Sequence, residues 1–435
     1  MKKALSVLLV SAALLAIVFA FTACASLLRN PSEGLEYTLN DDGISYSVTG
    51  IGTCTDKDIV IPSEYNGLPV KEIGDNAFSG CSDITSIQIP KSVKSIGGQA
   101  FNGCTSLANI KVDSENSYYK DIDGNLYTND NLRGDTLIQY AIGKRDKKFV
   151  IPDSTVAIGE YAFAGCSSLT SIKIPSEVYK IGNYAFEGCS ALTSVEISSG
   201  VKRIGHHAFM DCSRLTKIEI PDSVIAIGDY AFADCSSLTS ISIPETADSI
   251  RSHTFSGCSS LTSVSIGSGV KSIGEYAFAG CSSLTSINIP DGVSSIGNFA
   301  FRNCKALSTI TIPDGVTSIG SHVFADCTGL ESVNFEANSQ LQTIGDHAFY
   351  NCSKLTAIKI PQSVTSIGYQ AFYNCWQIKS INIPAGVTSI GNSAFLYCYS
   401  LKNVSYSGDK AAWEKIAIGS DNSQLTSAEI SYKDA

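Results

Sequence analysis

The fifteen residues IGEYAFAGCSSLTSI stand at Ile158–Ile172 and again, unchanged, at Ile273–Ile287, 115 positions later. That distance is five periods of 23, and the period governs most of the chain. An Ile-Gly-x-x-Ala-Phe-x-x-Cys frame begins at Ile73, Ile96, Ile158, Ile181, Ile204, Ile227, Ile250, Ile273, Ile296, Ile319, Ile344, Ile367 and Ile390. Arg251, Thr254 and Val323 are its only departures, and the spacing is 23 except for 62 after Ile96 and 25 after Ile319. A unit this short cannot hide its own apolar face. Successive units must stack and share a continuous interior. Length alone would suggest two or three ordinary domains in 435 residues; the repeat replaces that expectation with an array.

Between frames runs an alternating apolar pattern, as in Leu169-Thr170-Ser171-Ile172-Lys173-Ile174-Pro175, which fits a short strand with one buried face. Ten of the twelve prolines directly follow an Ile at such a strand end, where a missing N–H stops pairing. The Gly after each frame Ile serves either an unusual backbone angle or a close approach. A Leu-x-x-Ile-x-Ile strand with a fixed return resembles a leucine-rich repeat. Ala-Phe-x-x-Cys with the Ile-Pro step resembles the BspA-like class of bacterial surface repeats, over roughly residues 35 to 407. The pattern departs from commoner leucine-rich repeats in having Pro, not Asn, after the strand. The resemblance implies an α/β leucine-rich-repeat solenoid, with short parallel strands on the concave face and irregular, 3-10 or short helical returns on the convex face.

Open ends of such a stack expose strand edges and apolar surface, so flanking segments should act as caps. Residues 35–72 and 408–435 fit that role, the first through Ile59-Val60-Ile61-Pro62 and the second through Trp413 and an alternating run from Ala428 to Tyr432. The repeats then occupy 73–407. Within them, the extended unit 105–157 should form a hairpin-like excursion from Asn125–Thr128 and Thr136–Ile142. The coil carrying Ala247, Arg251 and Thr254 should be the softest of the array.

The first residues, Met1-Lys2-Lys3 followed by an apolar run to Phe21 and Thr22-Ala23-Cys24, read as an export signal over residues 1–23. Phe21-Thr22-Ala23-Cys24 resembles a bacterial lipobox, although Phe21 replaces the usual aliphatic residue. The resemblance implies lipidation of Cys24, a tether over residues 24–34, and a lipoprotein anchored at the bacterial cell surface. A formal charge of −10 and the absence of an extended basic cluster argue against nucleic acid as a partner.

Fifteen cysteines in an exported chain would ordinarily suggest disulfides. Thirteen of them, however, fill a single column of the repeat, where side chains point the same way and lie ~4.8 Å apart, too far for the bond. They read as free, buried thiols. His207, His253, His322 and His347 share a second column with Tyr161, Tyr184, Tyr230 and Tyr276. Only His322 and His347 fall on successive coils, and no carboxylate or thiolate column converges on them, so no metal site and no cofactor is expected. Asp121-Ile122-Asp123-Gly124-Asn125 reads as an Asp-Gly turn, since Gly124 is misplaced for a calcium loop.

Three surfaces remain as candidates for binding. Arg133-Gly134-Asp135 resembles the integrin-binding tripeptide and falls in the polar turn of the excursion, where an ordinary turn is the plainer explanation. The outward strand positions, such as Thr170, Ser171, Lys173, Thr193, Ser194 and Glu196, form a polar face that is either merely solvated or a docking surface. Near the C-terminus Tyr350, Tyr373, Trp376, Tyr397 and Tyr399 replace mostly smaller residues. They either pack against the cap and Trp413 or anchor a protein or a sugar. No catalytic constellation emerges, so an enzyme is not expected. The expected function is a monomeric, lipid-anchored surface solenoid binding host or neighbouring-cell proteins, with glycan binding through the aromatic patch as the alternative.

Overall fold

The computed structural model describes residues 30–433, which divide into two compact units, one ending at Leu126 and one beginning at Tyr127. The export signal, Cys24 and the tether as far as residue 29 lie outside the described residues.

The unit ending at Leu126 contains the N-terminal cap. The hairpin Glu36–Leu39 and Tyr46–Gly50 is antiparallel, and Tyr46–Gly50 then pairs in parallel with Leu68–Ile73, which pairs with Ser95–Ile96. A second ladder runs in parallel from Asp58–Val60 through Ser86–Ile89 to Asn109–Val112. Its open edge is covered by Ser32, whose N–H donates to the Val60 carbonyl and whose hydroxyl accepts from the Val60 N–H. Asp123 and Gly124 both take positive φ, 49° and 70°, which is the type I′ geometry that an Asp-Gly turn favours.

In the unit beginning at Tyr127 most coils contribute two strands, one to each of two sets of parallel ladders; the coil at residues 284–289 supplies only the shorter strand, Ser295–Ile296. The longer strands, for example Ser171–Ile174, Ser194–Ile197 and Lys217–Glu219, pair with a constant offset of 23 residues. The second ladder consists of two-residue strands at the start of each frame: Lys180–Ile181, Arg203–Ile204 and Ala226–Ile227. Between the ladders lies the core. Phe163, Phe186, Phe209 and Phe232 form a buried stack, with ring centroids 4.7, 5.0 and 5.4 Å apart and planes within 8° of parallel.

The returns between strands are tight turns rather than helices. Among the described residues, helical turns occur at Ile142–Lys144 and in the C-terminal cap at Lys410–Trp413 and Ser423–Thr426. The reason is visible in the hydrogen bonds. Alternate return residues donate to carbonyls of the following coil, as Phe186 does to Ala208 and Phe209 to Ala231, so those N–H groups are not free for an intrahelical partner. Pro begins the turn after most long strands, its carbonyl accepting from the residue three positions on, as with Pro175 and Val178.

Close approach, not backbone angle, accounts for the frame glycine. A Cβ on Gly205 would lie 2.6 Å from the backbone of Gly182, and one on Gly228 would lie 2.4 Å from the His206 nitrogen. Gly205 and Gly228 each donate to the frame Ile of the preceding coil, at 2.9 Å. Arg251 makes no such bond, and the two-residue ladder breaks between Ala226–Ile227 and Ser249–Ile250. This is the coil whose substitutions mark it in the sequence. A second break, between Ser295–Ile296 and Ser318–Ile319, has no substitution to announce it. The wider gap there still shows: the nearest backbone atom to a Cβ on Gly320 would be 3.6 Å away. Amide hydrogen exchange at residues 248–251 should therefore run faster than at residues 202–205, and equal protection of the two segments would contradict the break.

At the C-terminus the cap continues both ladders, Ala417–Ile418 pairing with Ser389–Ile390 and Glu429–Tyr432 with Asn403–Tyr406. Asn422 stands in for a missing coil. Its Nδ2 donates to the Gly391 carbonyl and its Oδ1 accepts from the Phe395 N–H, satisfying groups that the next repeat would have served. Trp413 is buried against Tyr406, with centroids 5.2 Å apart at 69°.

Candidate functional site

The column of thirteen cysteines is an inter-coil hydrogen-bond ladder. All are free, and all but Cys81 are buried. In eleven coils the thiol donates to the carbonyl of the preceding coil's Phe, as Cys212 does to Phe186 and Cys235 to Phe209, at 3.2 and 3.1 Å. Burial pushes the Cys104 and Cys398 thiols up to about 12 and raises those of Cys189, Cys235 and Cys281 well above the ordinary range. The nucleophilic thiolate is thereby suppressed. Spacing identifies the column and its burial, but not the Sγ–H as donor.

The histidine–tyrosine column is a continuous stack of nine rings: Tyr161, Tyr184, His207, Tyr230, His253, Tyr276, Phe299, His322 and His347. Every residue in it holds a left-handed φ between 55° and 60°. For ring-bearing residues that conformation costs energy. It is held by the neighbouring rings and by bonds such as that from the Tyr184 N–H to the His206 carbonyl. Burial lowers the pKa of His207, His253 and His322, which favours the neutral ring. His322 and His347 lie 4.2 Å apart with planes 18° from parallel. Their in-plane lone pairs run side by side and do not meet at one point, so the pair cannot share an ion at ~2.0–2.1 Å.

The tripeptide at the excursion is not displayed as a unit. Asp130 Oδ1 accepts from the N–H groups of Leu132 and Arg133, Gly134 turns the chain at φ 90°, and Asp135 enters the strand Asp135–Gln139. Arg133 is exposed, whereas Asp135 is 1% exposed, so a partner reaching the guanidinium would not find the carboxylate beside it. Across this turn the Thr136 N–H donates to Thr128 Oγ1 at 2.8 Å.

Along the longer ladder the outward positions are polar and exposed, including Ser194 and Glu196, Ser240 and Ser242, Thr309 and Thr311, and Asn403 and Ser405. Lys173 pairs with Glu196, and Lys217 with Glu219, at the end near the excursion. The threonine column has a structural duty: Thr193 Oγ1 donates to the Thr170 carbonyl and Thr216 Oγ1 to that of Thr193. The serine, asparagine and charged positions beside it carry the open face.

Four of the five aromatic residues near the C-terminus are brought together, in a cluster that does not include Trp413. Tyr350 and Tyr373 stack at 4.8 Å and 5°, Tyr397 meets Tyr373 edge-on at 5.0 Å, and Tyr399 follows at 5.8 Å. Partial desolvation, then a hydrogen bond with Tyr397, raises the Tyr373 pKa. Trp376 stands 46% exposed in the same column as Tyr399, one coil earlier. Neither packs under the cap.

The model of the BspA type leucine rich repeat region matches residues 53–137, 143–262, 248–340 and 331–432. The chain belongs to the BspA-type leucine-rich repeat family. Among solved structures, a leucine-rich repeat protein from Bacteroides ovatus is similar to this BspA-type chain at 25% identity, over 92% of this chain and 99% of that one, with a TM-score of 0.58. A leucine rich cell surface protein from Faecalibacterium prausnitzii is 31% identical over 69% of this chain and 97% of its own, with a TM-score of 0.44. Among curated proteins no match is found. The parallel-strand solenoid inferred from the BspA-type period is thus the fold of the relative that covers nearly all of the chain, and it is a fold typical of binding scaffolds.

Proposed function

We propose that this chain is an exported lipoprotein, held at a bacterial surface through acyl chains on Cys24, whose repeat array binds proteins of host or neighbouring cells and mediates adhesion as a monomer. The observation that supports the reading best is the open face of the longer ladder. Its outward positions are exposed along the strands while the threonine column beside them is committed to the backbone, so side chains there are free to vary and to contact a partner without loosening a coil. The mixed charge and scarcity of aromatic residues on this face suit a polar protein surface more than an apolar ligand.

Two measurements test it. Cys24→Ser should move the protein from the membrane fraction into the medium. Arg placed in turn at Ser194, Ser242, Thr311 and Asn382 should, at one position or more, weaken saturable binding of residues 25–435 to matrix proteins or cells at least tenfold, with an unchanged circular dichroism spectrum. Absence of saturable binding, or indifference to all four substitutions, would remove the adhesive reading.

A further inference from the structure

At the C-terminal end two columns abandon structural solutions that several other coils use. In the position after the column cysteine, Ser236, Ser259 and Ser282 each donate a hydroxyl to the carbonyl of the serine one coil earlier. Trp376 and Tyr399 occupy that position on two successive coils, 46% and 70% exposed, in place of a serine. Two residues after the frame Phe, the backbone turns through left-handed φ with Gly at 165, 188, 257 and 280 and with Asn or Asp at 211, 234, 303, 326, 351 and 374. Tyr397 takes that position at φ 67°, where a bulky residue is strained, and it is 37% exposed. The serine hydroxyl and backbone ease are therefore given up together, on neighbouring coils, to place large rings in solvent.

Beside the rings runs a polar ladder. Asn374 Nδ2 donates to Asn351 Oδ1 at 2.8 Å, and Asn351 Nδ2 donates to Asp326 Oδ1 at 3.1 Å. Tyr397 continues the Asn374 column. Flat rings that cover the apolar face of a ring-shaped ligand, flanked by amides and phenols that hydrogen-bond its hydroxyls, make the chemistry that recognises carbohydrate. The aromatic and asparagine side chains include no cationic group, so nothing in the patch itself favours an anionic polymer.

We infer that Trp376, Tyr397 and Tyr399, with Tyr373 and Asn374 behind them, form a binding site for neutral polysaccharide, separate from the sheet face. The chain has two tryptophans, and Trp413 is buried, so Trp376 is a built-in reporter.

The test uses residues 25–435 with soluble neutral polysaccharides as probes: a mixed-linkage β-glucan, a galactomannan, a xylan and glycogen, with hyaluronan as the charged control. Retardation in native gels containing at least one neutral polymer is expected, together with a change in the fluorescence of Trp376 that persists in Trp413→Phe. The double variant Trp376→Ser with Tyr399→Ser returns both positions to the residue that other coils use. It should keep the thermal midpoint and lose at least tenfold in affinity. Tyr397→Asn, also a return to the column residue, should hold or raise the midpoint and weaken binding. No retardation by any neutral polymer, equal retardation by hyaluronan, or full binding by the double variant would overturn the assignment. Protein binding that survives these variants leaves the sheet-face reading standing on its own, so the two can fail independently.

Discussion

Phe209→Ala is expected to destabilise the repeat array by about 3–5 kcal/mol, the cost of deleting a fully buried aromatic side chain. Phe209 is 0% exposed and stacks on Phe186 at 5.0 Å and Phe232 at 5.4 Å, so the substitution damages two coil interfaces at once. In a stacked array stability is close to a sum of repeat and interface contributions, and weakening two adjacent interfaces should also divide unfolding into separate transitions. Urea denaturation followed by circular dichroism would report both effects. A loss under about 1 kcal/mol with a single cooperative transition would mean that the coils do not depend on the phenylalanine stack.

The second large effect concerns a methyl group where none fits. Gly205→Ala places a Cβ 2.6 Å from the Gly182 backbone, and no flexible side chain is available there to move aside. Parting the coils should cost about 1–3 kcal/mol, as overpacking of a closed interior does. Hydrogen exchange should rise at Gly205, whose N–H donates to the Ile181 carbonyl. The chain contains its own precedent, because Arg251 stands in the glycine column and there the corresponding bond is missing. If Gly205→Ala left both stability and exchange unchanged, close approach would not be the reason for glycine in the frame.

Much of the molecule could be read from the period. Ile, Leu, Phe and Cys recur at fixed positions because each must meet its own copy one coil away, so repetition reports the interior directly. The strands flanking the frames, the long unit before Ile158 and the ladder break at Arg251 were legible as interruptions of that rule. Other features were not, for physical reasons. The two-residue ladder at Lys180–Ile181 and its equivalents is too short to show alternation. The turn conformation of the returns depends on hydrogen bonds to the following coil, and a helical return and a turn bury the same apolar positions. Burial of Asp135 follows from the start of its strand at the tripeptide itself, one residue earlier than the alternation indicates. Among the candidate binding residues, phase alone placed Tyr350 on Tyr373. That Tyr397 holds a strained backbone angle and that Trp376 displaces a bonded serine emerge only when every coil is compared atom by atom.

The thiol ladder bears on how such a chain is made. While it is still unstacked, its cysteines are ordinary, with a thiolate fraction near neutral pH sufficient for disulfide exchange, and an oxidising surrounding would cross-link them at random. Once the coils close, each Sγ–H in the ladder is shut away from oxidant and committed to a carbonyl. Assembly is thus its own protection against oxidation. In an oxidising surrounding, coils that closed before oxidant arrived would keep these thiols free, whereas coils that closed later would meet scrambled cross-links.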